Sequence, residues 1–398
     1  MLENDIKILA GDHLEKIDAS PLIPYSYEVI DFLSELSTLL LKDKSNREFA
    51  DIISFAYWIR KSNLERLSRN LNRDNLRIGR GLTLHIAPNN VPINFAFSFV
   101  FGLLAGNANI VRVGESEHIQ IKIICKAIKK LFNLRKHKKI ADMNRIIRYP
   151  RNNLITERLS LNCNARVLWG GNNTILNFKS FKTRPRCIDI CFADRYSFCI
   201  LGADEILKAN PKETKLLANN FYNDVYLFDQ NACSSPHLII WQGKEKDIRE
   251  AQKKFWNSIE SLIKAKSNFP NIHSIEKYSQ LCRSAIMLDG RLDLVQSDSI
   301  YRIKLKNLTK EISNLRGKYG FFIEAVDNNL ENLKKIVDES YQTVTYYGID
   351  QYKISKKILS LGLTGIDRIV PIGKALDIGV IWDGYDMIGS LSRIVSIE

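Results

Sequence analysis

Three short segments of this 398-residue chain combine residue types and spacing that could do chemistry. In NDVYLFDQNACSSPHLII, Cys233 stands in a polar turn immediately before an apolar strand pattern. A nucleophilic thiolate needs partial exposure and nearby hydrogen-bond donors, and a turn lined by Gln230, Asn231, Ser234 and Ser235 offers both. An idle turn thiol fits the same local context, so the turn alone leaves the role open. In HIAPNNVPINF, Pro88 and Pro92 fix the backbone on either side of Asn89 and Asn90, between a strand pattern and a helix pattern, and so present an amide on a rigid turn. Proline and asparagine are also ordinary turn formers. In RVLWGGNNTILNF, Gly170 and Gly171 separate a strand ending at Trp169 from a helix start, where backbone can approach a ligand and open amides favour a phosphate. The G-x-G-x-x-G fingerprint of many dinucleotide-binding proteins is absent. His237 falls inside the strand pattern PHLII and reads as structural rather than as a base.

Other residues carry less. The chain has seven cysteines without regular spacing, which fits reduced thiols in the cytosol better than a disulfide framework. Cys187 and Cys191 alternate with Ile188 and Ile190 as in a buried strand, Cys163 reads as a bystander loop thiol, and no histidines complete a zinc set, so no metal is expected. The net charge of +14 suits a polyanion, a phosphorylated cofactor or coenzyme A, or simply a lysine-rich surface. The densest basic cluster, RKHKK at Arg135 to Lys139, lacks the interleaved aromatics of a base-stacking platform and reads as a solvated loop, so nucleic acid is not the expected partner. The opening MLENDIKILAGDHLEKID is too polar for a signal peptide, and the longest apolar run, Ile93 to Gly106, is too short to span a bilayer and reads as a buried helix. A cytoplasmic protein without membrane insertion is expected.

The elements that must position these segments alternate. Residues to about Asn70 read as helical, followed by strand Leu82 to Ala87, helix Ile93 to Ala105, strand Asn109 to Val113 and helix Ser116 to Phe132. Further strands are expected near Ile146 to Tyr149, Arg166 to Trp169, Cys187 to Phe192 and Ser197 to Leu201. Such alternation implies an α/β fold with a mostly parallel sheet covered on both faces. A second block starts near Tyr226, with strands at His237 to Trp241 and Gly320 to Val326 and helices at Lys244 to Lys266 and Asn328 to Tyr341. The expected divisions are 1–225, 226–365 and a Gly-rich return segment, 366–398, that periodicity assigns to neither block.

Taken in order, FAYWIRKSNLERL, HIAPNNVPINFAFSFVFGLLAGNANIVRV, RVLWGG, DQNACSSP, GIDRIVPIG and WDG resemble the acyl-CoA reductase (LuxC-like) family, a branch of the aldehyde dehydrogenase superfamily. The resemblance covers most of the chain. It implies an aldehyde dehydrogenase-like fold, with a Rossmann-like cofactor domain and an inserted α/β domain bearing the cysteine. It implies Cys233 as nucleophile and Asn90, in Pro88-Asn89-Asn90-Val91-Pro92, as an oxyanion donor. Trp169, Gly170 and Gly171 fall on the superfamily's turn near the cofactor phosphates, and Arg112 falls where a lysine contacts the adenosine ribose. Arginine there would suit a 2′-phosphate, so NADPH is expected ahead of NADH. Two departures matter. Gln230 and Cys233 stand three apart instead of two, and Phe192 occupies the place of the glutamate that activates water in aldehyde-oxidising members. The implied activity is reduction of a fatty acyl-CoA to an aldehyde, with aldehyde oxidation as the rival. Self-association and an acyl-transferring partner enzyme are further implications.

Overall fold

Five apolar strands, Leu82–Ile86, Ala108–Arg112, Asn144–Arg148, Ala165–Trp169 and Ile188–Phe192, pair in parallel in the computed structural model. Their spatial order is third, second, first, fourth, fifth, the doubly wound order of dinucleotide-binding sheets. Lys7–Ala10 adds an antiparallel edge on Asn144–Arg148. Between the first and second strands runs the helix Asn94–Leu104, whose residues are all buried. Each of Phe95, Phe97, Phe99 and Phe101 contributes roughly 1.5–3 kcal/mol by leaving water. This helix lies so close to the sheet that a Cβ at Gly102 would overlap the Asn109 side chain.

The structure describes residues 5–69, 71, 76–266, 270–288, 293–297 and 299–397, so Asn70, the expected end of the first helical region, lies outside the described residues. The chain divides into one unit of Met1–Ala193 with Val380–Glu398 and a second of Asp194–Gly379. The second unit has its own seven-stranded sheet, in the order Asp293–Gln296, Tyr301–Lys304, Phe321–Val326, Pro236–Gln242, Tyr196–Gly202, Tyr341–Tyr347, Arg368–Pro371. All its pairings are parallel except that between Asp293–Gln296 and Tyr301–Lys304. The architecture is thus α/β with parallel sheets.

Both expected boundaries move. Tyr196–Gly202 pairs with Pro236–Gln242 and Tyr341–Tyr347, which carries residues 194–225 into the second unit. Arg368–Pro371 pairs with Tyr341–Tyr347, so the return segment begins at Val380 instead of residue 366. Its Ser392–Val395 pairs antiparallel with Leu76–Gly79. The short helix Met387–Leu391 ends in carbonyls that all find donors: Ser392 Oγ to Ile388, Arg77 to Gly389, Arg80 to Ser390 and Asn107 Nδ2 to Leu391. Four side-chain caps therefore fasten a tail that periodicity could not assign.

The basic RKHKK cluster is more ordered than a solvated loop. Arg135–His137 is a 3-10 turn leading into the helix Lys138–Met143, and His137 is buried, its ring edge against Phe32. Lys136 pairs with Glu35, Lys139 with Asp18 and Lys138 with Asp142. Among the described residues, no helix is long and apolar enough to cross a membrane.

Candidate active site

Ligands of doubly wound sheets bind beyond the carboxyl ends of the strands where the strand order reverses. In the first unit that point lies between Leu82–Ile86 and Ala165–Trp169, neighbours paired from Thr83–Ala165 to Ile86–Leu168. The first strand leads into the Pro88–Pro92 loop and the other into Gly170–Gly171, so two of the three segments singled out in the sequence meet at the switch point. Asn90 is exposed there. A Cβ at Gly114, just past the adjacent strand, would overlap the side chain of Asn89, so that glycine lets the two loops touch. Gly171 is the N-cap of the helix Asn172–Ser180 and provides no side-chain cap, while the Gly170 N–H donates to the Phe192 carbonyl at 3.1 Å. A helix start without a side-chain cap is the kind of terminus at which a dinucleotide phosphate can be held.

Beneath these loops, buried side chains pass hydrogen bonds in one direction across four strands. Asn109 donates through Nδ2 to Asn144 Oδ1 at 2.7 Å, and Asn144 donates to the Ile140 carbonyl. Asn109 Oδ1 is thus the acceptor at 2.9 Å from His85 Nε2, which must carry the ring proton. His85 Nδ1 then accepts from the Ser98 hydroxyl at 2.8 Å, and Ser98 Oγ accepts the Trp169 indole N–H at 3.0 Å. Burial holds the His85 pKa down to about 4, with the Asn109 bond opposing it, so the ring is neutral at pH 7.

Two proposed cofactor contacts look different at atomic detail. The Trp169 ring is buried and stacked on Phe192, with centroids 3.7 Å apart, so its side chain braces the turn from within. Phe192, expected at the place of a water-activating glutamate, is buried in this stack. Arg112 donates to the Tyr149 carbonyl at 3.1 Å, lies over the Tyr149 ring and sits 3.7 Å from Glu115. Both polar contacts are made by Nη2, and half of the Glu115 side chain faces solvent at the same spot.

In the second unit, Cys233 lies at the amino end of Pro236–Gln242, on a turn tied down by its neighbours. Asp229 and Gln230 both take left-handed backbone angles, φ of 51° and 62°. Gln230 is fully buried: its Nε2 donates to the carbonyls of Pro236 and Phe321, and its Oε1 accepts the N–H groups of Gly320 and Phe321. Asn231 Nδ2 donates to the carbonyls of Phe228 and Asp229, and Ser235 Oγ to that of Asp224 at 2.7 Å. These side chains, expected as donors around the thiol, are instead the scaffold of its turn.

Residues that sequence reasoning missed complete the brace. Ser197 Oγ donates to the Cys233 carbonyl at 2.7 Å and accepts the Thr343 N–H. The Asp224 carboxylate accepts the N–H groups of Gly373 and Ala375, linking the turn to the GIDRIVPIG segment, while burial pushes its pKa up to about 7. Ser197 interrupts an apolar run and could have been noticed; nothing local marks Asp224. Cys233 itself is partly buried, neither sealed in the core nor fully exposed. His237 is buried against the Tyr196 ring and held well below its ordinary pKa by desolvation, as befits the structural role read from its strand pattern.

With this geometry in place, similarity to known proteins is informative. "Long-chain acyl-protein thioester reductase" of Vibrio harveyi is 24% identical over 304 residues, covering 74% of this chain and 59% of that protein. The protein of the same name from Aliivibrio fischeri is 21% identical, covering 80% and 64%. The chain thus spans less than two thirds of the length of these curated relatives. Among solved structures, aldehyde dehydrogenase 21 from Physcomitrella patens superposes with a TM-score of 0.64 at 10% identity, over 93% of this chain and 85% of that one. A 1-pyrroline-5-carboxylate dehydrogenase from Thermus with bound NAD gives 0.62 at 12% identity, over 92% and 81%. These likenesses show an aldehyde dehydrogenase-like fold. The sequence profile of the acyl-CoA reductase (LuxC) family matches residues 17–395, and the chain belongs to that family.

Proposed function

We propose that this protein reduces a long-chain acyl thioester, acyl-CoA first among them, to an aldehyde with a reduced nicotinamide dinucleotide, using Cys233 as the nucleophile. The observation that carries this reading is the Cys233 turn. Gln230, Asn231 and Ser235 are all taken up by main-chain partners, and Ser197 grips the cysteine's own carbonyl, which holds one partly accessible sulfur on a rigid frame. The names of the relatives, acyl-protein thioester reductases, supply the substrate class and add a protein-borne acyl group as an alternative donor.

In this mechanism the Cys233 thiolate attacks the thioester carbonyl, and the Asn90 amide is carried over from the family resemblance as the donor to the oxyanion. The thiol of the donor leaves, and the acyl group stays on Cys233 as a new thioester. When bound, the reduced dinucleotide supplies the hydride that releases this acyl group as aldehyde. Gly170, Gly171 and the first turn of Asn172–Ser180 would hold the dinucleotide's phosphates, and the Arg112–Glu115 pair its adenosine ribose. With Phe192 at the place where the resemblance expects the water-activating glutamate, hydrolysis of the acyl-enzyme to an acid would be disfavoured.

The ribose position revises the expectation of NADPH. With Arg112 engaged by Tyr149 and Glu115, a 2′-phosphate would meet a carboxylate, whereas a free 2′-hydroxyl could donate to it, so NADH is the preferred cofactor. Glu115→Gln should shift the NADH to NADPH preference by roughly tenfold towards NADPH, read from kcat/KM. A wild-type protein that already prefers NADPH would overturn this assignment. The function itself is tested by following aldehyde formation and dinucleotide oxidation with graded acyl-CoA and acyl-protein substrates. Cys233→Ala should form no aldehyde while still binding the dinucleotide; aldehyde from that variant would remove the nucleophile.

A further inference from the structure

Cys163 and Cys187, in the first unit, belong to no part of this mechanism, yet their sulfurs lie 3.9 Å apart. Cys163 is the residue that ends the helix Asn153–Asn162, two positions before the strand Ala165–Trp169. Cys187 immediately precedes Ile188–Phe192. The two strands are neighbours, registered from Ala165–Ile188 to Trp169–Phe192, so sheet pairing already holds both cysteine backbones side by side. A disulfide requires about 2.05 Å between sulfurs, a closure of roughly 1 Å by each, within the reach of side-chain rotation. The pair is asymmetric. Cys163 is fully buried and its thiol donates to the Ser160 carbonyl at 3.2 Å, while Cys187 is half-buried.

We propose that Cys163 and Cys187 form a dithiol site that a disulfide oxidant of the oxidised-glutathione class converts to an intrachain disulfide. The more accessible Cys187 reacts first: its thiolate attacks one sulfur of the oxidant, the S–S bond breaks, and one glutathione thiolate leaves. Cys163 then attacks the Cys187 sulfur of the mixed disulfide. The second glutathione departs with the proton of Cys163. The protein loses two electrons and two protons, and the oxidant becomes two thiols. The contact with Cys163 and the nearby Arg166 and Arg184 lower the Cys187 pKa, while the same contact and burial raise that of Cys163, which agrees with this order of events.

The bond would close a loop between positions 24 residues apart and staple two strands at the ends opposite Trp169 and Phe192. It should raise the apparent Tm by roughly 5 °C, reversed by dithiothreitol. The test is to incubate the full chain with oxidised glutathione, block remaining thiols by alkylation and map the peptides. Wild type should yield a Cys163–Cys187 cross-link. Cys187→Ser should yield no adduct at Cys163, and Cys163→Ser should retain glutathione on Cys187 without resolving it. Glutathione persisting on Cys187 of the wild type, or both residues recovered alkylated while Cys282 reacts, would reduce the pair to ordinary packing and overturn the proposal.

Discussion

The two units present their chemistry in opposite ways. In the first, the Asn90 loop and the Gly170–Gly171 turn stand at the carboxyl ends of parallel strands, where open backbone and an exposed amide face outward. In the second, Cys233 stands at the amino end of a strand, on a turn closed by buried side chains that reach across the sheet. A dinucleotide phosphate can be held by main-chain groups that the fold supplies wherever a strand meets a helix. The proposed nucleophile must be held at one point, and its turn is held by specific buried side chains.

That contrast predicts that changes at the exposed amide cost rate, while changes beneath the nucleophile turn cost stability. Asn90→Ala should lower kcat by roughly 100- to 1000-fold, about 2.7–4 kcal/mol of barrier, with an unchanged Tm. Gln230→Ala should do the reverse, losing about 3 kcal/mol of stability in denaturant unfolding, because two main-chain donors and two acceptors lose their buried partner. If Gln230→Ala melts normally and loses only rate, the contrast fails.

The chain of hydrogen bonds under the first unit sharpens the comparison through pH. His85 is neutral in the folded protein down to about pH 4, whereas an unfolded histidine takes up a proton near its ordinary value of roughly 6.5. The unfolded state therefore binds more protons between these values. Stability should be full above about pH 6.5 and fall by roughly 2–3 kcal/mol as the pH drops towards 4. Comparing wild type with His85→Gln in chemical denaturation should isolate this component, and identical pH dependence in both would contradict it. The smallest effect is expected at the Trp169 end of these hydrogen bonds: Trp169→Phe keeps an aromatic ring for Phe192 but loses part of the stacked surface and the indole N–H to Ser98, for about 1–2 kcal/mol.

Much of the first unit is legible in the sequence, because its strands are short apolar runs bounded by Gly, Pro and Asn, and its loops follow directly from them. The Pro88–Pro92 and Gly170–Gly171 segments announce themselves, and the strand order brings them together. The second unit is harder. Asn328 to Tyr341 has helical spacing, and its Leu330, Leu333 and Ile336 are indeed buried, but only Leu333–Ile336 is helical and Tyr341 already opens a strand. Apolar spacing identifies the buried face of such a segment without settling its length. The brace around Cys233 is illegible for a different reason. Gln230 meets Phe321, 91 positions away, and Ser197 meets Cys233 across 36, so no local pattern encodes either contact. Arg112 shows the same limit, since its type suggested a phosphate while its Nη2 is engaged by Tyr149 and Glu115, 37 and 3 positions away.

The central claim is that the sulfur of Cys233 takes the acyl group. Incubating the protein with a long-chain acyl-CoA in the absence of reduced dinucleotide and measuring intact and peptide masses tests it directly. The account predicts one acyl group per chain, on the peptide carrying Cys233, discharged when reduced dinucleotide is added. An acyl group found on another residue, or none on a chain that nonetheless turns over, would contradict it.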